Sequence, residues 1–376
     1  MPVSQPSNLP WNFPSVRMNG SHPDPQLRDS PPAEDDRLQD YLLQGVSRTF
    51  ALTIPQLPAG LARAVSNAYL LCRIVDTIED EVSLDSAQKR RFCDQFAEVV
   101  AGRAPAETLA ADLAPRLSDN TLPAEHELIR LIPRVIAITH GLHPEQREAL
   151  SLCVEIMGEG MAEFQDRDLR HGLTTMAEMD RYCYYVAGVV GEMLTRLFCH
   201  YSPEIAAHRE RLMVLAVSFG QGLQMTNILK DLWDDHGRRV CWLPQEMFDA
   251  AGYNLADLVP HHDDPRFRAG FRRLIAVAHG HLRNALEYTL LIPGSETGIR
   301  EFCLWALGMA VLTLRKINAN LDFSESVQVK ISRTSVKATI AVSRLSLRSN
   351  LMLRAVFALA GAGLPRADHR SLVAAA

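Results

Sequence analysis

Strand signals are scarce in this 376-residue chain, which disfavours a sheet-based fold. The seven cysteines (Cys72, Cys93, Cys153, Cys183, Cys199, Cys241 and Cys303) contain no CxxC pair. That excludes a ribbon-type zinc site and predicts free core thiols in a reducing compartment. A Walker sequence is absent. Gly158-Glu159-Gly160 and Gly220-Gln221-Gly222 lie inside helical stretches, without the strand–turn–helix context of a dinucleotide fingerprint. Positive charge is not in excess: 39 Lys and Arg against 44 Asp and Glu leave −5, so no basic field favours nucleic acid. Met1 to Asp35 has no apolar core segment, only Pro, Ser, Asn and Asp in abundance; no signal peptide is expected, and the stretch is expected to be disordered. Leu351 to Leu364 is apolar but carries Arg354 and falls short of the ~20 residues that span a bilayer. It reads as a core helix, with interfacial membrane contact left open. His261-His262-Asp263-Asp264 follows Pro260 and reads as a polar surface loop, not a metal cluster.

What the chain has is apolar helix. Hydrophobic residues make up 47 %, enough for a large core. Length alone would allow two or three domains, but no composition shift or fixed-period repeat divides the chain. Helical periodicity between Pro and Gly breaks predicts helices over 36–46, 56–82, 86–102, 122–140, 144–166, 174–200, 203–236, 263–292, 297–320 and 334–361. The expectation is one all-α domain over 36–362, with tails at 1–35 and 363–376.

Two acidic segments share one spacing: Asp76-Thr77-Ile78-Glu79-Asp80 and Asp231-Leu232-Trp233-Asp234-Asp235. Residues four apart share a helix face, so each pair aims two carboxylates at one spot. Repulsion there costs a few tenths of a kcal/mol unless a cation offsets it. Paired hard oxygen donors suit Mg²⁺ held over substrate phosphates. A lone pair of this kind would read as a solvated helix end. Here Asp76 follows the apolar run Ala68 to Val75, and Gln224, Asn227, Asp231 and Asp235 form one polar stripe on an otherwise apolar helix. Such a stripe lines a cavity.

Several segments in order then resemble the squalene/phytoene synthase family: Ser47-Arg48-Thr49-Phe50, Tyr69 to Asp80, Met157 to Met161, Tyr182 to Gly191, and Gln224 to Asp235. Glu301-Phe302-Cys303 and Val329 to Arg333 look like the stretches that mark its NADPH-using, squalene-forming members. The resemblance implies an isoprenoid-synthase-type helical fold with a central cavity. It also implies head-to-head condensation of two farnesyl diphosphates through presqualene diphosphate, then NADPH-dependent reduction to squalene.

By that resemblance Asp76, Asp80, Asp231 and Asp235 hold Mg²⁺. Ser47, Arg48, Arg73 and Lys230 meet phosphate oxygens, and Gln224 and Asn227 order the metal's surroundings. For Arg73 a salt bridge to a neighbouring acid is an equal reading. Tyr185, in the Tyr-Val-Ala-Gly motif, and Tyr69 are the candidates for handling cation and proton. Phe50 and Phe302 wall the apolar cavity. Of Arg238 and Arg239, which sequence does not separate, Arg239 is carried as the diphosphate-flap arginine. Lys330 and Arg333 are the candidates for NADPH phosphate. Lys230 stands where the family more often has Arg, and Ala306-Leu307 stands where it has Pro-Gln. The membrane anchor of the eukaryotic enzymes is not expected. The chain is read as cytoplasmic, with peripheral membrane contact for product release left open. The alternatives are a non-reducing synthase making dehydrosqualene, presqualene diphosphate or phytoene, and a non-catalytic isoprenoid-binding scaffold.

Overall fold

The computed structural model of the protein describes residues 34–47, 49–260, 263–367 and 372. Among these no strand occurs; one isolated parallel bridge joins Leu173 and Pro244. The first half contains α1 (Glu34–Val46), α2 (Phe50–Thr53), α3 (Ala59–Asp80), α4 (Ser86–Val100), α5 (Ala106–Leu113), α6 (Pro123–Arg130), α7 (Ile132–His140) and α8 (Pro144–Gln165). Then follow α9 (Met176–Cys183), a π-helical turn at Tyr184–Gly188, α10 (Val189–Tyr201), α11 (Pro203–Ala206) and α12 (Arg209–Gly237). The chain continues with α13 (Glu246–Asp249), α14 (Pro265–Leu291), α15 (Thr297–Ala319), α16 (Ser326–Val329), α17 (Arg333–Ser346) and α18 (Asn350–Ala360).

Helix α12 is the axis of the fold. Residues 215 to 230 are buried on every face, as a helix surrounded by others must be. It packs against α14, α10, α15 and the π-helical turn. Helices α12 and α15 are long and apolar enough to cross a membrane, but 89 % and 78 % of their apolar windows lie inside the protein. One apolar core runs continuously from Leu42 to Leu364. All seven cysteines are free and buried in or beside it.

Most predicted helices appear near their expected bounds, and the differences have local causes. The 122–140 helix is broken at Leu131 (φ −93°, ψ 9°), because Pro133 in the next turn lacks the N–H a continuous helix needs. The 203–236 helix is interrupted at His208 (φ −108°). The 334–361 helix divides around Leu347–Ser349, where Ser349 caps α18. Expecting Leu351 to Leu364 to be a core helix is wrong for its helical part. In α18 only Leu353 is buried, while Leu351, Met352 and Leu359 face outward. Helix α1 begins at Glu34, and Leu364 is still buried, with the Pro365 carbonyl accepting from His279 Nδ1 at 2.9 Å. His261 and His262 lie outside the described residues; Asp264 caps α14 by accepting from Arg266 N–H at 2.7 Å.

Candidate active site

The two acidic pairs sit at the C-terminal ends of α3 and α12. Asp80 and Asp235 line one cleft of about 600 Å³, together with Glu79, Lys89, Phe164, Arg167, Arg170, Arg238, Arg239 and Trp242. The two helix ends therefore open onto a common space. Asp76 lies one turn deeper. It is 1 % exposed, and neither carboxylate oxygen has a hydrogen-bond partner.

Burial dominates the electrostatics here. It pushes the Asp76 carboxyl far above the carboxylate range; Arg73 opposes this and Asp80 adds to it. Asp80 is pushed up to about 8 by burial and then by Glu79, against the pull of Arg73 and Arg238. Asp235 reaches about 7 by burial, opposed by its ion pair to Arg238 and reinforced by Asp231. Burial alone would lower the Arg73 guanidinium, but Tyr69, Glu125, Asp76 and Asp80 outweigh it and hold the charge on.

On α12 the predicted polar stripe is present. Lys230 is buried and donates to Asn227 Oδ1 at 3.1 Å, with Asp231 Oδ2 also at 3.1 Å. Gln224 Oε1 and Asn227 Nδ2 are buried without partners. Asp80 and Asp235 share the cleft, Asp76 lies one turn deeper beside Arg73, and Asp231 is half-buried and paired with Lys230; carboxylate oxygens of this kind are donors that suit a hard divalent cation.

Arg73 pairs with Glu125 of α6, and its Nη1 lies 3.9 Å from Asp76, so the salt-bridge reading describes its contacts here. Ser47 Oγ accepts from Phe50 N–H at 2.9 Å and is occupied in starting α2. Arg48 lies outside the described residues. Arg238 is bound to Asp235 and feels Asp80, whereas Arg239 adopts φ 64°, turning the chain away from α12. Both line the cleft.

The aromatic candidates form a row. The Tyr69 ring is 4.9 Å from Phe50, Phe50 is 6.0 Å from Phe302, and Phe302 is 6.2 Å from Phe198. Burial raises the Tyr69 phenol to about 12, partly offset by Arg73 and Ser47. At the far end Phe302 and Phe198 line a small apolar cavity with Phe219, Tyr288 and Cys303. The row links the charged end at Arg73 to an apolar interior.

Tyr185 belongs to the π-helical turn, a local widening often found at functional sites. Its ring lies so close over Gly160 that an added Cβ there would stand 2.0 Å from Tyr185 Cγ. Its phenol is raised by burial and by Glu163. Lys330 and Arg333 are exposed around the start of α17 and are not among the described residues that line the acidic cleft.

Sequence reasoning missed Tyr182 and Trp242, whose rings stack at 3.6 Å and 11° beside the cleft. Tyr182 is buried, and after burial its phenol is raised most by Glu79 and Asp235. The sequence signal for Tyr182 was its place in the Tyr182-to-Gly191 segment; Trp242 comes from a loop and carried none. Glu125, the partner of Arg73, comes from another helix, and local spacing does not reveal it.

The sequence pattern of the squalene/phytoene synthase family matches residues 43–335. The chain is 28 % identical over 310 residues to the squalene synthase of Cyberlindnera jadinii, covering 81 % of this chain and 66 % of that protein. Against the squalene synthase of Saccharomyces cerevisiae it is 29 % identical over 307 residues, with coverage of 81 % and 66 %. Against squalene synthase BSS of Botryococcus braunii it is 30 % identical over 294 residues, with 75 % and 59 % covered. The chain thus spans 59–66 % of the length of these relatives. Among solved structures, a ligand complex of TcSQS superposes with a TM-score of 0.70 at 25 % identity, covering 91 % of this chain and 97 % of that one. A ligand-bound dehydrosqualene synthase shares the fold at TM-score 0.61 and 21 % identity, over 84 % and 97 % of the two chains. The chain belongs to the squalene/phytoene synthase family.

Proposed function

We propose that this protein condenses two farnesyl diphosphates head to head into presqualene diphosphate and reduces that product with NADPH to squalene. One observation carries the reading. Asp80 and Asp235, from helices far apart in sequence, share a cleft with basic side chains, and the Tyr69–Phe50–Phe302 row connects the Arg73 end of the site to an apolar cavity. The cleft has room and charge for a diphosphate, and the aromatic row points an attached apolar tail toward the interior, where the cavity of about 20 Å³ has to open to admit it.

The residues divide the work. Asp76, Asp80, Asp231 and Asp235 would hold Mg²⁺, with Gln224 and Asn227 on the same face of α12 as Asp231 and Asp235. Bound there, the ion supplies neutralisation of the charge that develops on the departing diphosphate. Lys230, Arg238 and Arg239 meet diphosphate oxygens. Arg73, paired with Glu125, keeps a positive charge beside Asp76, and the family resemblance gives Ser47 and Arg48 to the second diphosphate. Once C1 of one farnesyl chain is cationic, the 2,3-double bond of the other attacks it. Loss of one proton closes the cyclopropane. Tyr185 is the hydroxyl that moves this proton, and Tyr69, Phe50 and Phe302 present ring faces to the cation while keeping water out. Reduction consumes one hydride and releases the second diphosphate. Lys330 and Arg333 carry charges suited to the phosphates of NADPH. Seven free buried cysteines support a reducing, cytoplasmic location.

The test is to incubate purified protein with farnesyl diphosphate and Mg²⁺, with and without NADPH, and identify the products. Squalene only with NADPH supports the full reading. Presqualene diphosphate or dehydrosqualene at saturating NADPH rejects the reductive half. No diphosphate release at all rejects the reading entirely.

A further inference from the structure

The last forty residues of the fold differ in character from the rest. Residues 326–367 carry seven basic side chains (Lys330, Arg333, Lys337, Arg344, Arg348, Arg354 and Arg366) and no Asp or Glu, in a chain whose net charge is −5. The same stretch holds Val327, Val342, Leu345, Leu351, Met352 and Leu359, half of all the exposed large apolar side chains among the described residues. Leu345, Leu351 and Leu359 are 80 %, 79 % and 75 % exposed. On α18, positions 351, 355, 358 and 359 recur at helical spacing, so the outward apolar residues make a stripe.

A water-facing helix would not carry such a stripe. The inward face of α17 is accounted for: Val336 and Ile340 pack with Trp305 and Met309 of α15. Two of the arginines are partly answered by acids on other helices, Arg344 by Glu301 and Arg354 by Glu287. Lys337 and Arg348 stand exposed. Apolar residues beside uncompensated cations complement one environment in particular, the headgroup boundary of an anionic bilayer. At about 1.5 Å per residue the eleven residues of α18 are too short to cross it, so the contact lies in the interface plane.

We propose that α17 and α18 form a lipid-docking face that seats the protein on anionic membrane. The placement gives the face a use, which rests on the function proposed above. Phe302, Cys303 and Ala306 of α15 wall the apolar cavity, while Trp305 and Met309 on the same helix back onto α17. One helix therefore separates the cavity from the docking face, a short way out for a hydrocarbon that water cannot accept.

Flotation of the full chain with phosphatidylcholine vesicles, with and without phosphatidylglycerol, at low and high salt, tests this without any turnover. Binding is expected only with the anionic lipid and should weaken as salt rises. Leu345→Glu/Leu351→Glu/Leu359→Glu should lower the partition coefficient by about tenfold or more, and Arg348→Glu should lower it less but remove part of the salt dependence. Melting temperature and diphosphate release in detergent should stay unchanged in both variants. Wild type that stays with the unbound fraction on anionic vesicles, or binds neutral vesicles equally, overturns the proposal. So does a concentration-dependent dimer that the triple variant abolishes, because the stripe is then covered by a second copy of the chain.

Discussion

Asp76 and Asp80 differ in what holds them, and single substitutions should separate the two roles. Asp76 is buried beside Arg73, whereas Asp80 reaches the cleft and is raised to about 8 by burial. Asn at position 80 keeps the size of the side chain and removes a charge that burial disfavours. Asp80→Asn should therefore lose about 10²–10³-fold in turnover, a few kcal/mol at ~1.4 kcal/mol per decade, with an unchanged or slightly higher metal-free melting temperature. Near-normal turnover at saturating Mg²⁺ would reject a metal site shared by the two helices. Tyr185→Phe keeps the ring over Gly160 and removes only the hydroxyl. If that hydroxyl moves the proton, formation of presqualene diphosphate should fall by roughly 10²–10⁴-fold, while presqualene diphosphate supplied from outside is still converted. Equal loss in both steps would assign Tyr185 to packing.

At the level of elements, the π-helical turn is held from outside by α12. A Cβ at Gly220 would lie 2.2 Å from the Ala187 carbonyl oxygen, and that backbone has no flexible end to move aside. Gly220→Ala should cost about 1–3 kcal/mol or more through overpacking, read as a melting shift of a few degrees, and should lower first-step activity as the turn shifts under Tyr185. An unchanged melting temperature would show that the turn adjusts freely. This contact also marks where sequence stops informing. The acidic pairs, the α12 stripe and the long helices follow from spacing, because side chains three and four apart share a face whatever the tertiary context. A π turn inserts one residue into a helix without altering its apolar character, so Tyr184–Gly188 read as ordinary helix within 174–200. The split at Leu131 was visible in Pro133 but outweighed by the periodicity around it. Arg73's partner Glu125 and the stack of Tyr182 on Trp242 depend on which elements meet. The outward stripe of α18 was unreadable for another reason: a helix facing lipid and a helix facing a core have the same periodicity.

For the molecule as a whole, the cleft ties folding to pH and, on the function proposed above, to divalent metal. An unfolded Asp titrates near pH ~3.9. In the folded chain burial holds Asp80 at about 8 and Asp235 at about 7. Below about pH 4 both states carry these protons, and the stability linked to them is fully present. As pH rises toward 7 and 8 the folded state keeps protons that the unfolded state has released, so metal-free stability should decline through this window. Glu81 works the other way: despite burial, hydrogen bonds from Thr121, Ser83 and Ser118 lower it to about 2, so its contribution is complete above pH ~4 and is lost only in acid. Between pH 6 and 8 buried His281, lowered to about 4, contributes with the opposite sign as the unfolded imidazole loses its proton near pH ~6.5, so the share of the cleft is read as the difference between wild type and a variant lacking Asp80 and Asp235. A divalent cation must displace the same protons to bind, so its apparent affinity should rise with pH, by up to about tenfold per unit for each proton released. At one fixed Mg²⁺ concentration, the rise in melting temperature over the metal-free protein should be larger at pH 8 than at pH 6, and the Asp80→Asn/Asp235→Asn double variant should show little of either effect. Calorimetric titration in buffers of different ionisation enthalpy should register proton release on Mg²⁺ binding. Equal stabilisation at both pH values, with no proton released, would mean that the buried carboxylates of α3 and α12 are not the metal's ligands.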